Sequence, residues 1–168
     1  IDYVYEGWLI VDGAPVSTGT FTVDEERMLS QKTFSLNEAF VDKATTFVLS
    51  IEPMDDSDPA PSATKMMAGN FSGANADITT GIVGDFSNAA GKYILATPTD
   101  GPDTHENSGI WFLDLATGSP TVGLDLPTLP DGWNYEGWVV VNGQPVTSGT
   151  FTNTMATDDA DPFSGSMS

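Results

Sequence analysis

The stretch Tyr5-Glu6-Gly7-Trp8-Leu9-Ile10-Val11-Asp12-Gly13-Ala14-Pro15-Val16-Ser17-Thr18-Gly19-Thr20-Phe21-Thr22 decides how the rest of the chain is read. It returns as YEGWVVVNGQPVTSGTFT over residues 135–152, with 12 of 18 positions identical at a constant offset of 130. The six changes exchange similar residues, Ala14 against Gln144 being the largest. An internal repeat of this length predicts a structural unit used twice. Within it, β-branched and aromatic residues run up to Asp12-Gly13, and a second such run follows Pro15. Asp-Gly between two strand-like runs predicts a hairpin, because both central residues of a type I′ turn need positive φ. Asn142-Gly143 carries the same turn chemistry in the second copy. Trp8 and Ile10 alternate with Leu9 and Val11, so the first strand is apolar on both faces and reads as an interior strand. Gly19 and Gly149 mark close packing or a bulge.

Outward from the first hairpin, Thr46–Pro53 (TFVLSIEP) is a strand closed by proline, and residues 54–64 (MDDSDPAPSAT) form a Pro- and Asp-rich loop. Further strands are expected near Thr33–Leu36, over Lys65–Phe71, within Ala76–Val83, over Gly91–Pro98 and over Gly109–Asp114. Short strands separated by turn residues, with almost no helical periodicity, predict an all-β chain of ten or so strands. The expected fold is an immunoglobulin-like antiparallel sandwich or barrel built from a duplicated hairpin module. The first module spans 1–74. The second spans 75–168, is incomplete at its C-terminal end, and packs with the first. Its hairpin has no successor to the Phe47–Ile51 strand before Ser168. A sheet lacking a strand leaves edge amides and carbonyls unpaired, so either the two parts close on each other or a neighbouring chain completes the sheet, which makes strand donation between subunits one route of assembly.

Composition narrows the function. The net charge is −19, and Arg27, Lys32, Lys43, Lys65 and Lys92 are the only cations; there is a single histidine, His105. Such a surface repels phosphate backbones, which argues against nucleic acid and anionic membranes as partners. It suits solubility in an extracellular or salty medium, a divalent cation, or a cationic partner. Cysteine is absent, which removes disulfides, thiolate metal sites and cysteine nucleophiles. No apolar run approaches the roughly 20 residues of a membrane-spanning helix. The sequence opens on Ile1 and has no signal-peptide pattern, so a processed or trimmed chain is expected.

The hairpin and the Glu-Pro strand together resemble the extracytoplasmic domain of anti-sigma-K-factor-like proteins. The residues that carry the likeness are Tyr5, Trp8, Leu9, Gly13, Pro15, Val16, Gly19 and Phe21, then Glu52, Pro53, Asp58, Pro59 and Pro61. The likeness covers the first 70 residues and residues 133–152, and leaves out 75–130. It implies an all-β domain outside the cytoplasmic membrane. The membrane span and the His/Cys sigma-binding region of such regulators have no counterpart here. The resemblance therefore implies an exported or surface protein built from the same module.

Four groups of residues are candidates for chemistry. Glu6 and Glu136 stand beside Trp8 and Trp138 at matching positions, where they could meet a cation, a sugar hydroxyl or a partner; equally, they could bond neighbouring backbone and hydroxyl groups. As a glycosidase pair they would need unlike environments, which their equivalence opposes. Asp55, Asp56 and Asp58 cluster in one loop, and Asp158, Asp159 and Asp161 in another. Calcium is the ion such loops could take, but neither matches the spaced calcium-loop pattern, and solvated acidic loops are the competing reading. Asp103, His105 and Ser108 share one polar loop without a nucleophile elbow, which leaves His105 a surface residue. The aromatics Trp8, Trp111, Trp133, Trp138, Tyr5, Tyr93 and Tyr135 would serve a glycan platform or a core. The expected function is thus a non-enzymatic exported or cell-surface module that binds itself or another surface protein through sheet edges, with no cofactor other than calcium. The alternatives are an extracytoplasmic domain that binds calcium or glycans, and the sensory domain of an anti-sigma-factor-like regulator.

Overall fold

A computed structural model describes residues 3–97, 105–106 and 109–156. The regular secondary structure of the described residues is almost wholly antiparallel β, and the chain falls into two compact units. The first comprises residues 1–84 together with 129–133, and the second comprises residues 85–128 and 134–168.

The first unit is one five-stranded antiparallel sheet. Its strands are β1 (Tyr3–Val11), β2 (Ala14–Phe21), β3 (Ala44–Pro53), β4 (Lys65–Ser72) and β5 (Asn75–Ala76), in the order β2-β1-β3-β4-β5. The β1–β2 turn has Asp12 at φ 51° and Gly13 at φ 83°, the two positive values a type I′ turn requires. β1 is paired along both edges, with Trp8 opposite Ser17 on β2 and Val48 on β3. Its position explains its two apolar faces. Trp8, Leu9, Val11, Val48 and Leu49 are the buried hydrophobic residues among those described, and all lie on β1 and β3. Each contributes about 1.5–3 kcal/mol of burial.

Between β2 and β3 the chain departs from the expected pattern. No strand forms near Thr33–Leu36; the segment is irregular, followed by a single helical turn, α1 (Glu38–Val41), capped by Asn37. The alternation there has another cause. Phe34 packs over Gly19, where a Cβ would lie 2.9 Å from its ring, and its ring centroid stands 6.3 Å from that of Phe21. The segment lies on the sheet face without joining a ladder. Ala76–Val83 likewise holds only the end of β5 and a 3-10 turn at Thr80–Ile82. Here Thr79 bridges back to Ala68, so the chain crosses beside Gly69 too closely for a side chain. Leu129–Trp133 is anchored by the Trp133 indole, which donates to the Lys65 carbonyl at 3.1 Å.

The second unit has smaller ladders. β6 (Ala90–Gly91), β7 (Ile94–Leu95), β8 (Ile110–Trp111), β9 (Leu113–Asp114), β10 (Thr121–Val122) and β11 (Leu124–Asp125) pair two by two, as β7–β8, β9–β10 and β6–β11. The expected strands Gly91–Pro98 and Gly109–Asp114 are therefore broken into pairs of residues; Pro98 lies outside the described residues. Gly123 accounts for part of this. Its N–H donates to the Phe112 carbonyl and its carbonyl accepts from Lys92 N–H, tying both would-be strands at their interruptions. The longest elements are β12 (Tyr135–Val141) and β13 (Gln144–Phe151), joined by Asn142 at φ 51° and Gly143 at φ 78°. Among the described residues, β12 and β13 pair only with each other.

Candidate functional site

The two hairpins share not only a turn but a defect. Gly7 faces Gly19 while Trp8 faces Ser17, leaving Thr18 bulged; Gly137 faces Gly149 while Trp138 faces Thr147, leaving Ser148 bulged. Gly19 at φ 114° and Gly149 at φ 110° supply the backbone freedom a bulge needs. The bulged hydroxyl folds onto the strand opposite. A Cβ at Gly7 would lie 2.4 Å from Thr18 Oγ1, and one at Gly137 would lie 2.3 Å from Ser148 Oγ. That is why glycine precedes tryptophan in both copies.

The two glutamates serve this bulge. Ser17 Oγ donates to Glu6 and accepts from Gly19 N–H at 3.1 Å. Thr147 Oγ1 donates to Glu136 at 2.7 Å and accepts from Gly149 N–H at 3.2 Å. Each carboxylate thus fixes a hydroxyl that fixes the bulge. Of the two readings for Glu6 and Glu136, the geometry displays the neighbouring hydroxyl bond.

The tryptophans differ between copies. Trp8 is 2% exposed, and its Nε1–H donates to Ser50 Oγ on β3 at 2.8 Å. Ser50 in turn donates to the carboxylate of Glu52, which is 1% exposed and also accepts from Ser62 N–H at 2.9 and 3.1 Å. This buried relay ties β1 to β3 and holds the loop after Pro53 against the strand end. Of its members, Glu52 stands out in the sequence only as part of the Glu-Pro strand end that carries the family likeness, and Ser50 not at all. The signal for them was a Ser-x-Glu alternation inside an apolar strand, which places both polar groups on one face. Trp138 is 56% exposed, and Val140 and Val141 beside it are exposed. The edge of β12 that corresponds to the β3 edge of β1 carries no strand among the described residues.

The other face of the second hairpin is engaged. Tyr135 stacks on Phe151 at 5.3 Å, meets Phe86 edge-on at 6.5 Å, and donates its hydroxyl to the Pro127 carbonyl at 2.5 Å. Burial raises its pKa, as burial and then Tyr3 raise that of Tyr5. Tyr5 stacks on Phe21 at 5.5 Å in the matching position. In the first unit this face also frames an apolar groove of about 410 Å³, lined by Phe21, Val23, Phe47, Leu49, Met66 and Ile78 among others.

Asp55, Asp56 and Asp58 are exposed. Asp56 Oδ1 accepts from Asp58 N–H at 2.8 Å and Asp58 Oδ1 from Ala60 N–H at 3.0 Å, so both carboxylates organise the loop itself. Among the described residues no three Asp, Glu or His side chains converge in a manner that would hold a metal ion. Asp158, Asp159 and Asp161 lie outside the described residues, as do Asp103 and Ser108. His105 is exposed and its carbonyl accepts from the Thr97 hydroxyl. Of the aromatic set, Trp111 and Tyr93 are exposed in the second unit, whereas Trp8 is enclosed in the first. Among the described residues no helix is long and apolar enough to cross a membrane. No family model, no curated protein and no solved structure matches the chain.

Proposed function

We propose that this protein is a non-enzymatic, exported or cell-surface β module that works by protein–protein contact, and that it self-assembles through the open edge of β12. One observation carries the reading: the same hairpin encloses its tryptophan at 2% exposure where a third strand is present and leaves it at 56% where none is found among the described residues. A two-stranded ribbon is marginal on its own, and an unpaired edge invites a further strand. In this reading the hairpin is the duplicated module of an immunoglobulin-like sandwich, and the second copy is finished by assembly. The likeness to extracytoplasmic domains and the net charge of −19 support a location outside the cytoplasm.

The edge can be blocked selectively. Val141 and Gln144 flank the two-residue turn and face each other, so they form a hydrogen-bonded pair; Val140 and Pro145 form the next, non-hydrogen-bonded pair. The N–H and C=O of Val140 therefore point to the open edge. The equivalent Ile10 carbonyl accepts from Thr45 Oγ1 at the start of β3, as this alternation requires. Val140→Pro removes an outward donor without breaking the β12–β13 ladder. Sedimentation velocity over a concentration series in high salt, where repulsion between acidic copies is screened, tests the proposal. Association that Val140→Pro abolishes is the expected result. A chain that stays monomeric at the highest attainable concentration overturns it.

A further inference from the structure

We infer that the open edge of β12 is built for a strand with the pattern of β3, bound antiparallel, with a hydroxyl residue for the indole of Trp138 and an aromatic ring for the space over Gly137. The inference rests on the proposed edge pairing and specifies its occupant. The first hairpin is the template. On β1, Ser50 stands opposite Glu6, Leu49 opposite Gly7, Val48 opposite Trp8, Phe47 opposite Leu9 and Thr46 opposite Ile10. Shifted by the offset of 130, the same partners fall on Glu136, Gly137, Trp138, Val139 and Val140.

Three features of the second hairpin fit that occupant. First, the receiving strand is the same. Tyr-Glu-Gly-Trp and the final Val are retained, Leu9 and Ile10 become Val139 and Val140, and the bulge sits at the same step. Second, a place for an aromatic ring is open. At Gly7 a Cβ would meet the bulged Thr18 and, at 3.0 Å, the Phe47 ring from β3; at Gly137, among the described residues, it would meet only Ser148 and Gly149 within 4 Å. Third, Trp138 is exposed where Trp8 lies enclosed with its indole N–H on Ser50, which stands diagonal to Trp8 across the ladder, two residues beyond Val48 on β3. A strand that presents Phe, Val and Ser at alternating and adjacent positions, as Phe47, Val48 and Ser50 do, meets all three. A strand with a carboxylate in place of the serine would bring like charge to Glu136.

The test uses the full chain and a synthetic peptide of residues 44–53 (ATTFVLSIEP). The readout is the indole N–H resonance of Trp138, identified by its loss in Trp138→Phe, together with its hydrogen-exchange protection. Saturable shift and protection of that resonance by the peptide are expected, with no binding to Val140→Pro. A peptide with Ser50→Ala should bind roughly fivefold more weakly, the value of one hydrogen bond. One with Phe47→Ala should lose at least about tenfold, as an aromatic anchor does. These peptide variants leave the protein untouched, so they read out even if Val140→Pro disturbs folding. A peptide that perturbs Trp8 but not Trp138, or whose two variants bind as well as the parent, overturns the inference. If the chain associates through β12 and the peptide neither binds nor competes, the inference falls and edge assembly stands. If the chain neither associates nor binds the peptide, both fall.

Discussion

Trp8→Ala and Trp138→Ala make the same chemical change at equivalent places in one hairpin, and should differ in cost by about 3 kcal/mol. A tryptophan side chain buries up to about 250 Å². The two residues stand at 2% and 56% exposure, so roughly 130 Å² more is withdrawn from water at Trp8. At about 25 cal/mol per Å² that is about 3 kcal/mol, less some allowance for compactness of the unfolded chain. The lost bond to Ser50 Oγ adds about 1 kcal/mol at Trp8 only. The whole cost of Trp8→Ala should then reach the usual ~3–5 kcal/mol of a core Trp truncation, a large part of a domain's stability. Trp8→Phe is the milder companion should the alanine variant fail to fold. The assay is urea unfolding of dilute protein, followed by far-UV circular dichroism and tryptophan fluorescence, with the two units' transitions fitted separately if they part. Equal costs, within about 0.5 kcal/mol, would refute the view that the third strand is what sets the difference.

Gly69→Ala should destabilise the first unit by about 1–3 kcal/mol, because its Cβ would lie 2.2 Å from the Asp77 carbonyl oxygen, a backbone atom that must move; thermal unfolding checks it, and an unchanged midpoint would mean the 77–79 crossing gives way easily. The Asp114 carboxyl is held below its ordinary value of 3.8, first by the Lys92 ammonium and then by Ala116 N–H. A depressed carboxylate pKa contributes stability that is present above the unfolded value and lost as pH falls through the folded one, so this contribution should fade below about pH 3.8. Carboxyl NMR titration should show the Asp114 pKa rising in Lys92→Met; no rise would assign the depression to Ala116 alone. Sodium chloride should raise the melting temperature by screening the excess acid groups. Calcium should add no saturable shift beyond magnesium at equal ionic strength, since Asp56 and Asp58 are engaged by backbone N–H groups; a calcium-specific saturable rise would contradict this.

What could be read from the sequence follows the range of the forces involved. Asp12-Gly13 and Asn142-Gly143 specify their turn within two residues, so both hairpins were legible, as was β3 with its closing Pro53. Segments whose apolar residues serve long-range packing were not. Thr33–Leu36 alternates because Phe34 meets Gly19 across the sheet, and alternation alone cannot tell a ladder from a strap laid over a face. Gly91–Pro98 and Gly109–Asp114 have strand composition, yet Gly123 bonds into both and divides them. At the candidate site, Glu6 and Glu136 stand out as unusual carboxylates, and Gly19 and Gly149 point to a bulge, but which hydroxyls meet the carboxylates, Ser17 and Thr147, depends on the cross-strand register. The Trp8–Ser50–Glu52 relay spans 42 residues between its first two members, beyond any pattern confined to one element.

The comparison of the two hairpins separates what the motif determines from what its surroundings determine. Turn, register, bulge and the carboxylate–hydroxyl lock are alike in both copies, so they belong to the 18 residues themselves. Enclosure of the tryptophan is not alike, so it belongs to the third strand. The folding consequence is specific. A ribbon with its turn and bulge already set has met most of the ordering cost on its own side before a strand arrives, and the incoming strand then gains ladder bonds and the burial of Trp138 together. A hairpin preorganised in this manner makes a better acceptor than a disordered segment of the same composition. Its acidic surroundings act in the opposite sense, since two copies at −19 each repel until salt or a less acidic donor strand offsets the field. On the proposed edge pairing, selection would be by charge as well as by side-chain fit. The donor this pairing calls for is apolar, hydroxyl-bearing and nearly uncharged over the stretch in contact, the pattern that Thr45–Ile51 shows against β1 and that the Asp-rich segment after Pro53 lacks.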